Sequence, residues 1–283
     1  MSILISPAEL AALIASDTAV RLLDVRWRLD VPDGRPAYLA GHLPGAVYVD
    51  LDRDLADHVP VGRVPVDGRH PLPSTEALQA SARSWGIDDG DVVVVYDDLK
   101  NLSSARAWWV LRNAGITDVR ILDGALRGWC DAGLPIEAGA ITPQPGTVTL
   151  GAGALPSIGL DEVAAWPGTE RVLLDARAAE RYRGDVEPVD PRAGHIPGAI
   201  STPTTGNVDD DGRFLTPDAL RERFLEAGVP EGATVATYCG SGVTAAHNAV
   251  ALTLAGFDPV LYPGSWSEWA NHPELPVATG PGT

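Results

Sequence analysis

The sequence predicts an α/β fold of two homologous domains, each a parallel sheet flanked by helices on both faces. Two observations carry this: short β-branched runs alternate with helical patterns, and the chain is written twice. In the first half, "RLLDVR" at 21–26, "AGHLPGAVYVD" at 40–50, "VVVVYDD" at 92–98 and "ILDGALRGW" at 121–129 follow one another. The second half answers in the same order with "VLLDAR" at 172–177, "AGHIPGAIST" at 193–202, "TVATYCG" at 234–240 and "LYPGSWSEW" at 261–269. The openings match too, "SPAELAALI" against "IGLDEVAAW". Four ordered matches in both halves mark a duplication, so 1–140 and 157–283 read as separate domains. Between them, "ITPQPGTVTLGAGALP" at 141–156 is rich in Gly, Pro and Thr without helical periodicity and reads as a linker.

Each domain is read element by element from its periodicity. Strands are expected at 19–24, 45–49, 92–96 and 118–122, with counterparts at 171–175, 198–201, 233–238 and 259–262. Helical patterns lie at 75–85, 103–114, 216–227 and 243–255. The start, "MSILISPAELAALIAS", lacks a basic segment and carries Glu9 inside its apolar pattern, so it reads as a strand edge and a helix rather than a signal peptide. Strands alternating with helices predict parallel sheets, whose sites form beyond the C-terminal ends of strands.

Composition bounds the function. A chain of 283 residues is comfortable for two domains. The formal charge of -17 argues against nucleic acid and anionic membrane as partners. An anionic substrate would therefore need a locally positive pocket. Two cysteines make no disulfide framework, and reduced thiols suit a cytoplasmic protein.

One of those cysteines sits where chemistry is expected. Cys239 follows the apolar run "GATVATY" and precedes "GSGVT", which opens a helical pattern that stops at Gly256. A tight loop at a helix N-terminus points N–H groups inward and favours a bound anion, here a nucleophilic thiolate. Aligning the halves sets Asp97 opposite Cys239, so the first copy lacks the thiol. His42 and His195 occur in both copies and are read as serving the fold. Cys130, in "RGWCDAG", lacks a Gly-rich loop and is read as inert packing.

At these residues the sequence resembles the rhodanese/sulfurtransferase family, specifically its tandem two-domain members. The "LLDVR/LLDAR" strands, the "GHLPGA/GHIPGA" segments, "RYRG" at 181–184, "CGSGVT" at 239–244 and "YPGSWSEW" at 262–269 carry the resemblance. It implies an inactive N-terminal domain, an active C-terminal one, and a Cys239 persulfide that carries sulfur from an anionic donor to cyanide, a thiol or thioredoxin. No cofactor and no metal are implied. The N–H groups of Gly240, Ser241, Gly242, Val243 and Thr244 would cradle the sulfur. The loop resembles that of 3-mercaptopyruvate sulfurtransferases, whereas thiosulfate enzymes carry basic residues where Gly240 and Ser241 stand. By the same resemblance Arg181 and Arg192 would bind the donor carboxylate, and Asp52, His70 and Ser241 would form a relay. Arg183 is read as a surface ion pair with Asp185 or Glu187. Thiosulfate remains the alternative donor.

Two other classes compete. A cysteine phosphatase also holds its thiol in an anion loop, but needs an arginine about six residues on to close over phosphate. Ala245 stands there. A non-catalytic persulfide carrier would keep Cys239 without the arginines that position a small donor, and Arg181 argues against it.

Overall fold

Five short apolar runs build the first sheet, and their burial explains their composition. The computed structural model describes residues 2–57, 66–166 and 171–281, so the expected domain limits at 1 and 283 fall outside the described residues. The chain forms two units: residues through Asp57, Leu72–Leu155 and Val208–Phe214 make the first. The second holds 66–71, Pro156–Asn207 and the remainder from Leu215. Strands in the first unit are β1 (Leu4–Ile5), β2 (Val20–Asp24), β3 (Val47–Tyr48), β4 (Val92–Tyr96) and β5 (Val119–Leu122), and the second has β6 (Arg171–Asp175), β7 (Ala199–Ser201), β8 (Thr234–Tyr238) and β9 (Pro259–Leu261). The first sheet runs β1-β5-β4-β2-β3 and the second β7-β6-β8-β9, with every pairing parallel. An isolated bridge between Ser157 and Leu261 stands in the second unit where β1 stands in the first. All five residues of β4 are buried, as a central parallel strand covered on both faces requires.

Helices of the first unit are α1 (Pro7–Ile14), α2 (Arg35–Ala40), α3 (Leu51–Asp54), α4 (Thr75–Ser84), α5 (Ser104–Asn113) and α6 (Ala125–Asp131). Those of the second are α7 (Leu160–Ala164), α8 (Ala179–Arg183), α9 (Pro217–Glu226), α10 (Val243–Leu254) and α11 (Ser265–Trp269). Ser6 caps α1 with a capping box to Glu9, and Pro7 opens the helix, which is why a strand can turn into a helix within one residue. No helix among the described residues is long and apolar enough to cross a membrane.

The repeated sequence words each perform one repeated physical task. In "LLDVR" and "LLDAR" the arginine folds back on the aspartate two residues earlier and reaches the carbonyl before the "H-[LI]-PGA" segment. Arg26 Nη2 lies 2.6 Å from Asp24 and 2.6 Å from Gly41 O. Arg177 Nη2 lies 2.6 Å from Asp175 and 2.6 Å from Gly194 O. His42 and His195 are buried, stack on Tyr38 and Tyr182, and donate through Nδ1 to those tyrosines' carbonyls. Burial holds the His195 imidazole below its ordinary value, consistent with a neutral ring in the core.

The stretch read as a linker lies along the first unit through Leu155: Gly146, Val148, Gly151 and Ala154 N–H groups donate to Arg83, Ile87, Ala114 and Asn113 carbonyls. A Cβ on Gly146 would meet Ile87 O at 2.0 Å, so only glycine allows that approach. Cys130 is exposed, not packed inside, because α6 turns Gly128 and Trp129 inward and presents the next position to solvent.

Where the second unit has Cys239, the first fills its loop with its own anion. Asp97 Oδ1 accepts the N–H groups of Leu99 and Asn101, and Oδ2 those of Ser103 and Ser104. Lys100 and Asn101 take positive φ to make this wrap. Replacing Asp97 by Ala should leave those N–H groups without their acceptor and cost roughly 3–5 kcal/mol. Asp97→Asn should cost less, because its amide oxygen still serves one of the two donor pairs. Urea denaturation followed on the intact chain reads the order of the two variants.

Candidate active site

Cys239 emerges where β8 ends, and the residues after it fix the thiol against the start of α10. The thiol is buried, with the residue 1% exposed. Gly242 N–H donates to Sγ at 3.1 Å. Gly242 sits at φ 79° as the residue preceding α10, and a Cβ there would meet Pro263 O at 2.3 Å. Glycine is therefore required for the loop to turn onto its own cysteine. Ser241 is buried beside it, Val243 is buried at the first turn of α10, and Thr244 is half-buried.

A second loop, before α11, closes over the cysteine from the other side. Cys239 N–H donates to Ser265 Oγ at 3.1 Å, and the same oxygen lies 4.0 Å from Sγ. The carbonyls of Cys239 and Gly240 accept the N–H groups of Trp266 and Ser267, both at 2.9 Å. Ser265 is buried at φ 56°, in the left-handed region that costs a non-glycine residue about 1–3 kcal/mol. Sequence reading missed this serine. The duplication held the signal: Ala125, its counterpart in "ILDGALRGW", has φ 55°, so the copies share the turn and differ by one hydroxyl, present where the cysteine is.

The arginines divide sharply by what occupies them. Arg181, in α8, lies near the loop: a Cβ on Gly240 would lie 3.2 Å from its Nη1. Its Nη2 meets Glu187 at 2.7 Å and Asp190 at 3.4 Å. Arg192, also expected to bind the donor, is engaged elsewhere. Its guanidinium spans four main-chain carbonyls, those of Trp269, Ala270, His272 and Leu275, at 2.6–3.0 Å. Four of five N–H donors are thereby committed to fastening the end of α11. Arg183 pairs with Asp185 at 2.7 Å on the surface, as read from the sequence.

A cation the sequence reading passed over comes from the segment at 66–71, which belongs to the second unit. Arg69 Nη2 lies 3.2 Å from the same Cβ position on Gly240, and its Nη1 pairs with Asp190. Burial pushes the Asp190 carboxyl above the ordinary range, while Arg69 and Arg181 pull against that shift. His70, next to Arg69, is buried in the second unit with Ser241, whereas Asp52 lies on α3 in the first. No periodic or motif signal singles out Arg69. Only the path of the chain brings it to the cysteine loop.

Removing the Ser265 hydroxyl tests the second loop. Ser265→Ala should leave the buried Cys239 N–H without an acceptor, costing about 1–3 kcal/mol of loop order. Alkylation of Cys239 by iodoacetamide should change in rate by tenfold or more while the far-ultraviolet circular dichroism stays as it was.

The rhodanese-like domain model matches twice, over residues 6–132 and 160–272. The chain is 52% identical to a Mycobacterium tuberculosis protein named "Putative thiosulfate sulfurtransferase SseB", covering 98% of this chain and 97% of that one. It is 35% identical to the 3-mercaptopyruvate sulfurtransferase of Escherichia coli K12, with 92% of each chain covered. Among solved structures, the Escherichia coli 3-mercaptopyruvate sulfurtransferase SseA superposes with a TM-score of 0.79 at 32% identity, covering 94% of this chain and 99% of that one. A 3-mercaptopyruvate sulfurtransferase from Leishmania major gives 0.83 at 28% identity, covering 98% of this chain and 76% of that one. Matched in both halves and aligned with its relatives along nearly their whole length, the chain belongs to the rhodanese-like family, as one of its tandem-domain sulfurtransferases.

Proposed function

We propose that the chain moves sulfane sulfur from 3-mercaptopyruvate, through a persulfide on Cys239, to a thiol such as thioredoxin or to cyanide. The observation that carries this reading is a buried thiol 3.1 Å from the Gly242 N–H, with guanidinium groups over the adjacent Gly240. Those cations bear on the difficulty posed by a net charge of -17: their guanidinium N–H groups are aimed at Gly240 while Glu187 and Asp190 balance their charge from within the unit, so an anionic donor meets N–H donors first.

In the first half-reaction the Cys239 thiolate attacks the donor sulfur. A sulfur–sulfur bond forms and the donor's carbon–sulfur bond breaks, its electron pair leaving on carbon as the enolate of pyruvate. A proton taken up at that carbon gives pyruvate, and the enzyme retains Cys239–S–SH. In the second, a thiolate or cyanide attacks the outer sulfur and releases the Cys239 thiolate. Splitting the transfer this way gives ping-pong kinetics. The loop N–H groups from Gly240 to Thr244 stabilise charge on sulfur in both halves. Arg181 holds the donor carboxylate. Ser241 and His70 stand as candidates for delivering the proton to the enolate.

Thiosulfate is the second reading, and two observations favour it. Two guanidiniums above Gly240 suit a dianion, and a relative at 52% identity carries a thiosulfate sulfurtransferase name. The ratio of kcat/KM for the two donors decides between them.

Cys239→Ser should abolish transfer from either donor in a folded protein, because a hydroxyl cannot form the persulfide. Cys130→Ser should be nearly silent, given its exposure. Mass spectrometry after one donor addition should find +32 Da on Cys239 alone, and turnover surviving in Cys239→Ser would remove the whole reading. Arg181→Leu should raise KM for 3-mercaptopyruvate about ten- to a hundredfold, since a charge-assisted contact is worth about 1.5–3 kcal/mol. An unchanged KM would assign Arg181 to its ion pairs alone.

A further inference from the structure

Arg69 differs from the neighbouring arginines in how its guanidinium is used. Arg192 is consumed by carbonyls, and Arg177 is buried against Asp175 and Glu187. Arg69 engages Asp190 through Nη1 and directs Nη2 toward Gly240, the residue after the nucleophile. Arg181 reaches the same point from α8, and Asp190 offers one carboxylate oxygen to each guanidinium. The carboxylate side chain is 2% exposed, while those of Arg69 and Arg181 are 20% and 17% exposed. The anchor is buried, and the two cations paired to it keep part of their surface exposed.

The backbone that carries Arg69 is fixed to the same turn that holds the cysteine. Arg69 N–H donates to Ser267 Oγ at 3.0 Å, two residues from Ser265. Gly68 sits at φ 88° so close to Gly264 that a Cβ would meet its carbonyl oxygen at 2.8 Å. Val66 O lies 3.1 Å from His272 Nε2. Three attachments along four residues set the guanidinium's position before any ligand arrives, which reduces the entropy lost on binding.

We propose that Arg69 is a second donor-binding residue, forming with Arg181 a two-guanidinium fork over Gly240 that takes the anionic end of the sulfur donor. The proposal rests on the sulfurtransferase reading above for the identity of that donor. Asp190, shared by both guanidiniums, and Glu187, on Arg181, are the fork's internal counter-charges, and Asp190 spaces the two cations when the site is empty. Glycine at 240 follows from the same geometry, because a side chain there would occupy the space between the two cations. Planar guanidiniums bind carboxylate and sulfonate-like oxygens in pairs, so the fork accepts either a 2-oxo acid or thiosulfate.

Anion binding to catalytically dead protein separates this from turnover. Cys239→Ser protein is titrated calorimetrically with thiosulfate and, separately, with pyruvate, alone and combined with Arg69→Leu, Arg69→Lys, or Arg69→Leu with Asp190→Asn. Arg69→Leu should weaken both anions ten- to a hundredfold, and Arg69→Lys should recover part of that loss. The variant that also carries Asp190→Asn should stay weak, since neutralising Asp190 does not replace the lost cation. In the protein with Cys239 intact, Arg69→Leu should raise KM for the donor by a larger factor than it lowers kcat. Equal affinity with and without Arg69 overturns the fork, as does full recovery in the Arg69→Leu/Asp190→Asn variant, which would reduce Arg69 to masking a carboxylate. Absence of any anion binding to Cys239→Ser also overturns it. If binding depends on Arg69 but the wild-type chain turns over neither donor, the fork stands and the sulfurtransferase reading falls.

Discussion

The second unit depends on one buried ion pair, Arg177 on Asp175. Asp175 ends β6 and its carboxylate is wholly buried, so it must be paired and hydrogen-bonded to stay charged. Arg177 meets it with Nε and Nη2 and uses Nη2 again on Gly194 O, tying the strand end to the segment before His195. Its remaining arm reaches Glu187 at 3.4 Å, and Glu187 holds Arg181 at 2.7 Å. Asp190 follows, then Arg69. Charges thus alternate from the strand end out to the loop around Cys239. Breaking such a pair deep in the unit would leave an uncompensated buried charge and release every group farther along.

The first unit keeps the beginning of this arrangement and replaces its end. Asp24, Arg26 and Gly41 reproduce the clamp, and His42 and Tyr38 reproduce the stacked pair. Beyond β4, however, Asp97 puts a carboxylate where β8 leads into a thiol, and its four N–H partners close the loop. Loops of inward N–H groups require an anion. One copy supplies a carboxylate from its own side chain, and the other places the Cys239 sulfur there.

Local charge and global charge act separately in this protein. A chain of net charge -17 repels anions at long range, but screening confines that repulsion to about 8–10 Å at physiological ionic strength. Within the loop, the Gly242 N–H, the start of α10 and two guanidiniums act at contact distance in a largely buried place, where screening is weak. An acidic surface is therefore compatible with the anionic donor proposed above.

Much of this was legible in the sequence because it is local or repeated. β-branched runs of strand length place β2, β4, β6 and β8 to within a residue, and the duplicated words pair the two units. Cys239 was legible from its position between an apolar run and "GSGVT", since strand–loop–helix is a local property of the chain. Short α2, α3, α8 and α11 were not read, having too few turns to show a period. Arg192 and Arg69 show the limit most clearly. Both are arginines beside a histidine motif, and nothing nearby in sequence distinguishes them. Arg192 is fastened to carbonyls 77–83 residues away, and Arg69 is placed by Ser267, 198 residues along the chain. Which arginine faces a ligand is decided by the partners that compete for its N–H donors, and those partners are assembled only by the tertiary fold.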